Sequence, residues 1–461
     1  MDVKGKRVLV VGLGKSGVAS ALFLASRGAR VTVSDAKSEE LLRTEIPALL
    51  DRGITVETGK HGERTFRDQD LIVVSPGVPN EVAPLQHARR LGIPVIGEIE
   101  LTARFLDGHV IAITGSNGKT TTTTLTGEIV ASGGHKTLVG GNIGTPAITF
   151  VEHSSTDTWV VLEISSFQLE SIESFHPHIA AILNITPDHL DRHGSMENYI
   201  AAKARIFENQ TAEDFAVLNA DNDVTHKLGA SLKAQVLWFS RLHEVERGAF
   251  VRNDEIIYRN GHEEIVLPLS EISLKGAHNV ENVLAAVAMG MAAGIEPVAI
   301  RRAVKEFRAV EHRLEYVATL RGVEYFNDSK ATNVDATLKA LESFPGNIHL
   351  ILGGKDKGSD YTELNDLLRA RVKRVYTIGA AAAKIEQQIA GTVPITAAVT
   401  LDSAVRKAAD QAVAGDIVLL APACASFDQF NSYEERGRVF KQLVQSLAAL
   451  QSASPAPGGS R

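Results

Sequence analysis

Residues 112–127 read AITGSNGKTTTTTLTG. An apolar run, VIAIT at 110–114, enters this stretch, and a helical pattern leaves it. Between them, Gly115, Ser116, Asn117 and Gly118 precede Lys119, Thr120 and Thr121. A glycine loop between strand and helix lets backbone amides curl around phosphate, while the lysine reaches the terminal phosphates and the hydroxyl coordinates Mg²⁺. The usual pattern has one more glycine, and Ile113 holds its place. The strand–loop–helix context still supports ATP binding by Gly115 to Thr121. It makes the central part of the chain a phosphate-loop ATPase unit.

A second glycine signature lies upstream, VVGLGKSG at 10–17. Gly12, Gly14 and Gly17 stand between a strand and a helix, and Asp35 ends the next strand. Glycine lets the backbone approach a diphosphate, and the helix N-terminus offers amide donors. NAD, with Asp35 on a ribose hydroxyl, satisfies this geometry, and so does a UDP-sugar. A plain tight turn is the bland alternative.

The chain has 461 residues, which suggests about three domains. It is 44% hydrophobic and 22% charged, as a soluble globular chain is. A net charge of -7 argues against bulk binding to nucleic acid or anionic membrane. Cys424 is the single cysteine, which excludes an internal disulfide framework and suits a reducing, cytoplasmic compartment. No apolar run reaches the roughly 20 residues of a membrane span. The N-terminus lacks the apolar core of a signal peptide.

Strand and helix patterns alternate in three blocks, implying an α/β protein of three domains, each a mainly parallel sheet with flanking helices. The expected domains are 1–98, Rossmann-like; 99–308, the phosphate-loop ATPase; and 309–461, again Rossmann-like. The Pro/Gly/Ser-rich tail 452–461 is expected to be disordered. In open parallel sheets, ligands bind beyond the carboxyl ends of strands. In the central block those ends offer Glu163, Asn184 and then Asp188, His189, Asp191 and His193. Glu163 with Thr120 suits Mg²⁺, which prefers oxygen ligands. His189 is a softer ligand than Mg²⁺ usually takes, and hydrogen bonding within its loop is an equal reading. By composition alone Lys203, in ENYIAAKARIFEN, is a solvated helix face. The third block offers His312 and Arg313, Asp328, Lys355 and Lys357, and Ser426, a rim suited to a carboxylate or a γ-phosphate.

Together TGSNGKTTT, LEISSFQLE, NITPDHLDRHGSMENYIAAKARIF, GAHNVEN, EHRLE, NDSKATN, LGGKDKGSD and APACASFDQF resemble the Mur ligase family, from about residue 5 to 445. The family forms amide bonds at the expense of ATP in peptidoglycan synthesis. NDSKATN and ACASFDQF resemble the members that add D-glutamate to UDP-N-acetylmuramoyl-L-alanine. The diaminopimelate-adding members show a DYAHTPD-like run instead, and folylpolyglutamate synthases begin near the phosphate loop.

The resemblance implies that the first glycine motif (Gly14, Lys15, Ser16) holds UDP, with Asp35 toward the uracil end and Asn142 as a further substrate contact. It implies that Lys203 is carboxylated on its amine by CO₂ and, with Thr120, Glu163 and His189, helps place two Mg²⁺ ions. Lys119, Glu163, His189 and Lys203 would then be the catalytic set. Asn279 and Asn282 would contact the nucleotide, and Arg313, Asp328 and Lys330 its phosphates and ribose. Thr332, Lys357, Ser426 and Phe430 would hold D-glutamate, with Lys355 an available substitute for Lys357. A monomer acting on small molecules, without nucleic acid or membrane insertion, is expected. The alternatives are a Mur-type ligase for another amino acid and an NAD-dependent oxidoreductase.

Overall fold

The computed structural model describes residues 1–79, 81–274, 276–308 and 311–452. Beyond Ser452, the expectation of a disordered tail lies outside the described residues. The chain forms two compact units, one made of Met1–Ile185, Ser195–Glu271 and Glu281–Lys305, the other of Thr186–Gly194, Ile272–Val280 and Glu306–Arg461.

The first unit contains two sheets among the described residues. One has five parallel strands in the order Thr55–Thr58, Arg30–Asp35, Arg7–Val11, Leu71–Val74, Val95–Gly97. Val8, Leu9, Val10 and Val11 are all fully buried. A continuous apolar run suits a parallel strand covered on both faces, where an alternating pattern would leave one face wet. The strand order reverses beside Arg7–Val11, so the crevice that binds ligands in such sheets opens at the Gly12–Gly17 turn.

The second sheet has nine strands, in the order Glu263–Pro268, Glu255–Arg259, Gly248–Arg252, Gln235–Ser240, Phe215–Asn219, Ile179–Ile182, His109–Thr114, Trp159–Glu163, Thr137–Gly141. The seven from Gly248–Arg252 to Thr137–Gly141 are parallel. Glu255–Arg259 pairs antiparallel with Gly248–Arg252 on one side and with Glu263–Pro268 on the other. His109–Thr114 lies between Ile179–Ile182 and Trp159–Glu163. The residues after both neighbours therefore flank the loop that follows it.

The second unit carries a six-stranded sheet, in the order Glu315–Leu320, Val323–Asn327, Ile417–Leu420, Ile348–Gly353, Val372–Ile378, Ile395–Val399. Only the first pair is antiparallel. All three sheets are parallel-dominated with flanking helices, as the alternating pattern implies. The antiparallel additions at Glu255–Pro268 and Glu315–Leu320 depart from a simple alternation. Strand Val95–Gly97 begins directly after Pro94, which has no amide to donate to the ladder.

Helix Glu98–Ala103 joins the two sheets of the first unit through two buried carboxyls. Glu100 is surrounded by donors: Ser174 Oγ, the amides of Glu173 at 2.8 Å, Ser174 at 2.9 Å and Phe175 at 3.0 Å, and Arg104 Nε at 2.8 Å. Burial opposes its charge, but these donors outweigh it and hold the carboxyl below the ordinary range. Glu98 accepts the Ile148 amide at 2.9 Å, and its Oε2 is buried with no partner among the described residues. Burial pushes this carboxyl from 4.5 up to about 7.

The folded chain therefore takes up a proton on Glu98 between about pH 4.5 and 7 that the unfolded chain does not. Stability falls as pH rises through that window, and the full cost, about 3 kcal/mol, is present above it. Glu98→Gln is expected to raise stability toward urea at pH 8 and to raise it far less at pH 5. Equal gains at both values would show that ionisation is not the cause.

Candidate active site

In the first unit, strand His109–Thr114 delivers the glycine loop to helix Lys119–Ser132. Gly118 has φ +86, and a Cβ there would overlap Asn282 Oδ1. Only glycine satisfies both the left-handed backbone and the close approach. Asn184, at the end of the neighbouring strand, anchors the loop. Its carbonyl accepts the Ser116 amide at 2.9 Å, its Oδ1 accepts the Asn117 amide at 2.9 Å, and its Nδ2 donates to the Asn117 carbonyl at 3.1 Å. Ser116 Oγ and Tyr199 Oη lie 3.0 Å apart. Asn282, 5% exposed, accepts from Thr122 Oγ1 at 3.3 Å. Thr121 Oγ1 is buried and has no partner among the described residues.

The charged groups converge on the same loop. Lys119 Nζ donates to the Gly115 and Ser116 carbonyls, both at 2.9 Å. Lys203 Nζ donates to the same Gly115 carbonyl at 2.9 Å and to Thr114 Oγ1 at 3.3 Å, and lies 4.7 Å from the Tyr199 ring centre. Lys203 is 2% exposed, so the solvated helix face that composition suggests is incorrect. Tyr199, Ala202 and Lys203 are the buried residues of helix Met196–Ala204, and Tyr199 and Lys203 both meet the glycine loop. Glu163, 1% exposed, ties Thr120 Oγ1 at 2.7 Å with one carboxylate oxygen and Asn142 Nδ2 at 2.8 Å with the other. The expected residues Lys119, Thr120, Asn142, Glu163 and Lys203 thus form one connected constellation.

Two ammonium groups share one carbonyl acceptor beside the loop, and a polyphosphate is a ligand whose charge suits them. The donor set also fits a hard cation. Thr120 and Glu163 supply oxygens. A carboxylated Lys203 would add another oxygen donor and replace a like-charge contact with an attractive one.

The first glycine motif has its own division of labour. Gly12 has φ +92, and a Cβ on Gly17 would overlap the Gly12 carbonyl, so both glycines serve the turn itself. Apart from its two chain neighbours, no described residue has an atom within 4 Å of where a Gly14 Cβ would stand, which leaves the approach to the helix N-terminus open beside Lys15 and Ser16. Asp35, 8% exposed, accepts the Leu13 amide at 2.7 Å and the Lys37 amide at 2.8 Å. It braces the turn as well as marking the strand end.

In the second unit, His189 lies in the Thr186–Gly194 segment with φ 54 and its side chain 36% exposed. Asp188 holds the segment in place. Its Oδ1 accepts the His189 amide at 3.0 Å and Lys357 Nζ at 3.4 Å, and its Oδ2 accepts Asn333 Nδ2 at 3.1 Å. The His189 ring lies 3.6 Å from the same carboxylate. The expected metal ligands are thus divided, Thr120, Glu163 and Lys203 in the first unit and His189 in the second. Asn279, 4% exposed, also belongs to the second unit and Asn282 to the first. The Asp191 side chain lies outside the described set.

The carboxyl edge of the six-stranded sheet gathers the remaining candidates. Asp328, 6% exposed, accepts the Leu314 amide at 3.1 Å, and burial lifts its carboxyl to about 6 against the pull of Arg313 and Lys330. Arg313 Nε is buried without a partner among the described residues. Lys330 Nζ lies 5.2 Å from the Tyr433 ring centre, and the Thr332 amide donates to the Lys330 carbonyl at 2.8 Å. Ser426 is 2% exposed and its carbonyl accepts the Phe430 amide at 2.9 Å. Phe430 packs half-buried against Ile378 and Phe440 in the core. Lys355 is exposed and its backbone pairs with Ala425, whereas Lys357 points at Asp188. Asn184, Asp188 and Tyr199 carry the site's internal wiring and had no such role in the sequence reading. The position of Asn184 and Asp188 after a central parallel strand was the available signal.

Comparison with known proteins accords with this geometry. Residues 6–97 match the Mur ligase MurD-like N-terminal domain, 113–290 the Mur ligase middle domain, and 312–424 the Mur ligase glutamate ligase domain. The chain is 69% identical over 450 residues to UDP-N-acetylmuramoylalanine–D-glutamate ligase of Koribacter versatilis, covering 97% of this chain and 99% of that one. It is 60% identical over 460 residues to the protein of the same name from Acidobacterium capsulatum, covering 98% and 100%. Among solved structures, the fold resembles UDP-N-acetylmuramate–alanine ligase of Thermotoga maritima, with TM-score 0.59, 21% identity and coverage of 96% and 100%. It also resembles a pseudomurein peptide ligase of Methanothermus fervidus, with TM-score 0.62, 20% identity and coverage of 96% and 100%. With three matching domain families along its length and relatives of such high identity over nearly all of it, the chain belongs to the Mur ligase family.

Proposed function

We propose that the chain is an ATP-dependent ligase that joins D-glutamate to UDP-N-acetylmuramoyl-L-alanine, releasing ADP and phosphate, in cytoplasmic peptidoglycan precursor synthesis. The observation that carries this reading is the convergence of Lys119, Lys203, Thr120 and Glu163 on one glycine loop, in a chain 69% identical to a ligase of that name. Domain 1–98 takes the UDP end through Gly14, Lys15, Ser16 and Asp35, with Asn142 adding a contact. Domain 99–308 takes ATP through Gly115 to Thr121 and Asn282, with Asn279 on the nucleotide. Domain 309–461 supplies Arg313, Asp328 and Lys330 to the nucleotide and Thr332, Lys357, Ser426 and Phe430 to D-glutamate. The protein acts as a monomer.

The chemistry follows from a poor acylating agent. A carboxylate would have to expel oxide, so its oxygen first attacks the γ-phosphorus of ATP, and the bond to the bridging oxygen of ADP breaks. The acyl phosphate now has a good leaving group. The amine of D-glutamate attacks its carbonyl carbon, the C–O bond to phosphate breaks, and the nitrogen loses its proton. Lys119 and the loop amides neutralise charge that grows on the transferring group. Buried Glu163 fixes the Thr120 hydroxyl and the Asn142 amide in position. Thr120, Glu163, His189 and carboxylated Lys203 would hold two Mg²⁺ ions, which when bound supply Lewis-acid neutralisation of phosphate charge.

Incubation with ATP, UDP-N-acetylmuramoyl-L-alanine and D-glutamate, L-lysine or diaminopimelate in turn, read by product mass, tests the reading. Only D-glutamate should give an adduct, and a preferred different amino acid would replace it. Asp188 aims the His189 loop, and a group that orients a ligand is worth about 10–100-fold in metal affinity or activity. Asp188→Ala is therefore expected to raise the Mg²⁺ concentration for half-maximal phosphate release about tenfold or more. An unchanged Mg²⁺ titration would remove His189 from the metal set.

A further inference from the structure

The five-stranded sheet departs from its own pattern at one end. Strand Arg7–Val11 is apolar after its first residue, but Arg30–Asp35 and Thr55–Thr58 alternate. Residues two apart on a strand share a face. Arg7 pairs in register with Arg30, Thr32 with Thr55, and Ser34 with Glu57. One face of the two alternating strands therefore carries Arg30, Thr32, Ser34, Thr55 and Glu57, and no apolar residue. Parallel sheets are ordinarily covered by apolar packing on both faces. Two arginines side by side on neighbouring strands also repel each other.

A cavity of about 620 Å³ opens at this amino edge, in the size range of small-molecule sites. Arg7, Arg30, Arg52 and Arg64 line it, against two carboxylates, Glu57 and Asp68. That excess of cations reverses the balance of the whole chain, whose net charge is -7. Arg7 is bound to Asp70 at 3.1 Å, and the two Glu57 carboxylate oxygens lie 2.9 and 2.7 Å from Thr65 Oγ1. Asp68 is exposed and acts on Arg7 through space. Among the described residues, the Arg30, Arg52 and Arg64 side chains make no hydrogen bond or ion pair, and neither do the Thr32 and Thr55 hydroxyls. Three guanidinium forks and two hydroxyls thus face one cavity as uncommitted donors.

We propose that this cavity binds a soluble, multiply charged phosphate anion, of the pyrophosphate class that includes nucleoside diphosphates, at a site separate from both glycine loops. Guanidinium forks meet phosphate oxygens two at a time, and an anion with several acceptor oxygens can engage more than one of them. The strands that begin at Arg7 and Arg30 end at the Gly12 turn and at Asp35, so the cavity and the first glycine motif lie at opposite ends of the same strands. A lipid headgroup offers the same phosphate chemistry. Val31 and Ile54 in the cavity wall are buried, however, and Ala25 and Ala29 are small, so no large apolar side chain of the wall projects toward a bilayer.

Phenylglyoxal, which modifies accessible arginines, reports on each residue separately when peptides are analysed by mass. Inorganic pyrophosphate well above its Kd, at constant ionic strength, should slow modification of Arg30, Arg52 and Arg64 by about tenfold or more. Arg43 and Arg90, exposed and outside the cavity, should react at an unchanged rate. Loss of one hydrogen bond to a charged group predicts that Arg52→Ala and Arg64→Ala each raise the pyrophosphate concentration that half-protects Arg30 by about tenfold or more. The protection pattern is read in the unaltered chain, so it stands even if a variant fails to fold. No slowing at Arg30, Arg52 and Arg64, equal slowing at Arg43 and Arg90, or an unchanged half-protecting concentration in both variants would overturn the proposal. Protection by phosphatidylglycerol vesicles and not by pyrophosphate would overturn it too, by assigning the arginines to a lipid headgroup.

Discussion

Lys119→Ala is expected to reduce phosphate release by about a thousandfold or more, the scale of losing a donor aimed at charge that develops in a transition state. Lys119 follows Gly118 directly, and its ammonium is held on the Gly115 and Ser116 carbonyls, both at 2.9 Å, inside the curve of the loop. A triphosphate bound in the loop would present formal charge within the lysine's reach. The loss should fall mainly on kcat, because the γ-phosphoryl oxygens gain charge as the bond to ADP breaks. The fold should tolerate the change, since Asn184 continues to anchor the loop through three hydrogen bonds. Retention of more than a tenth of the activity would mean that this loop does not grip the transferred group.

Lys203→Arg is expected to lose activity almost as fully as Lys203→Ala, about a hundredfold or more. The reason lies in the contact at Gly115, where the Lys119 and Lys203 ammonium groups share one acceptor. An arginine would preserve positive charge there but could not form a carbamate. If Lys203 serves as a cation, arginine should retain much of the activity. If it serves as an oxygen donor, neither variant can replace it. Carbon-13 NMR in labelled bicarbonate supplies a readout independent of turnover. A carbamate resonance is expected in the unaltered chain and absent from Lys203→Arg. Its absence from both would contradict the modification.

The phosphate loop and its neighbours were legible because local rules write them. A strand, two glycines, a lysine and a threonine occupy consecutive positions, and Glu163 and Asn184 fall at the ends of apolar runs. The three parallel-dominated sheets could be read from the same alternation of runs and helices. The antiparallel additions were harder. Glu255–Arg259 and Glu263–Pro268 are short and charged, and Arg252, Arg259, Glu244 and Glu263 form an exposed ion-pair cluster across them that resembles a loop in composition. Lys203 shows the limit most clearly. A lysine on a helix is ordinarily solvated, and only the fold brings this one to Gly115, 88 positions away. Asp188, paired with Lys357 across 169 positions, and Arg436, paired with Ser329 across 107, belong to the same class. Side chains whose partners lie far along the chain leave no periodic trace.

The central claim is that the γ-phosphoryl group passes from ATP to a carboxyl oxygen of UDP-N-acetylmuramoyl-L-alanine. It is tested most directly by labelling that carboxylate with oxygen-18 and analysing the phosphate released during ligation of D-glutamate by mass spectrometry. Transfer through an acyl phosphate predicts one labelled oxygen in each phosphate formed. Unlabelled phosphate, with the amide product still appearing, would contradict the account.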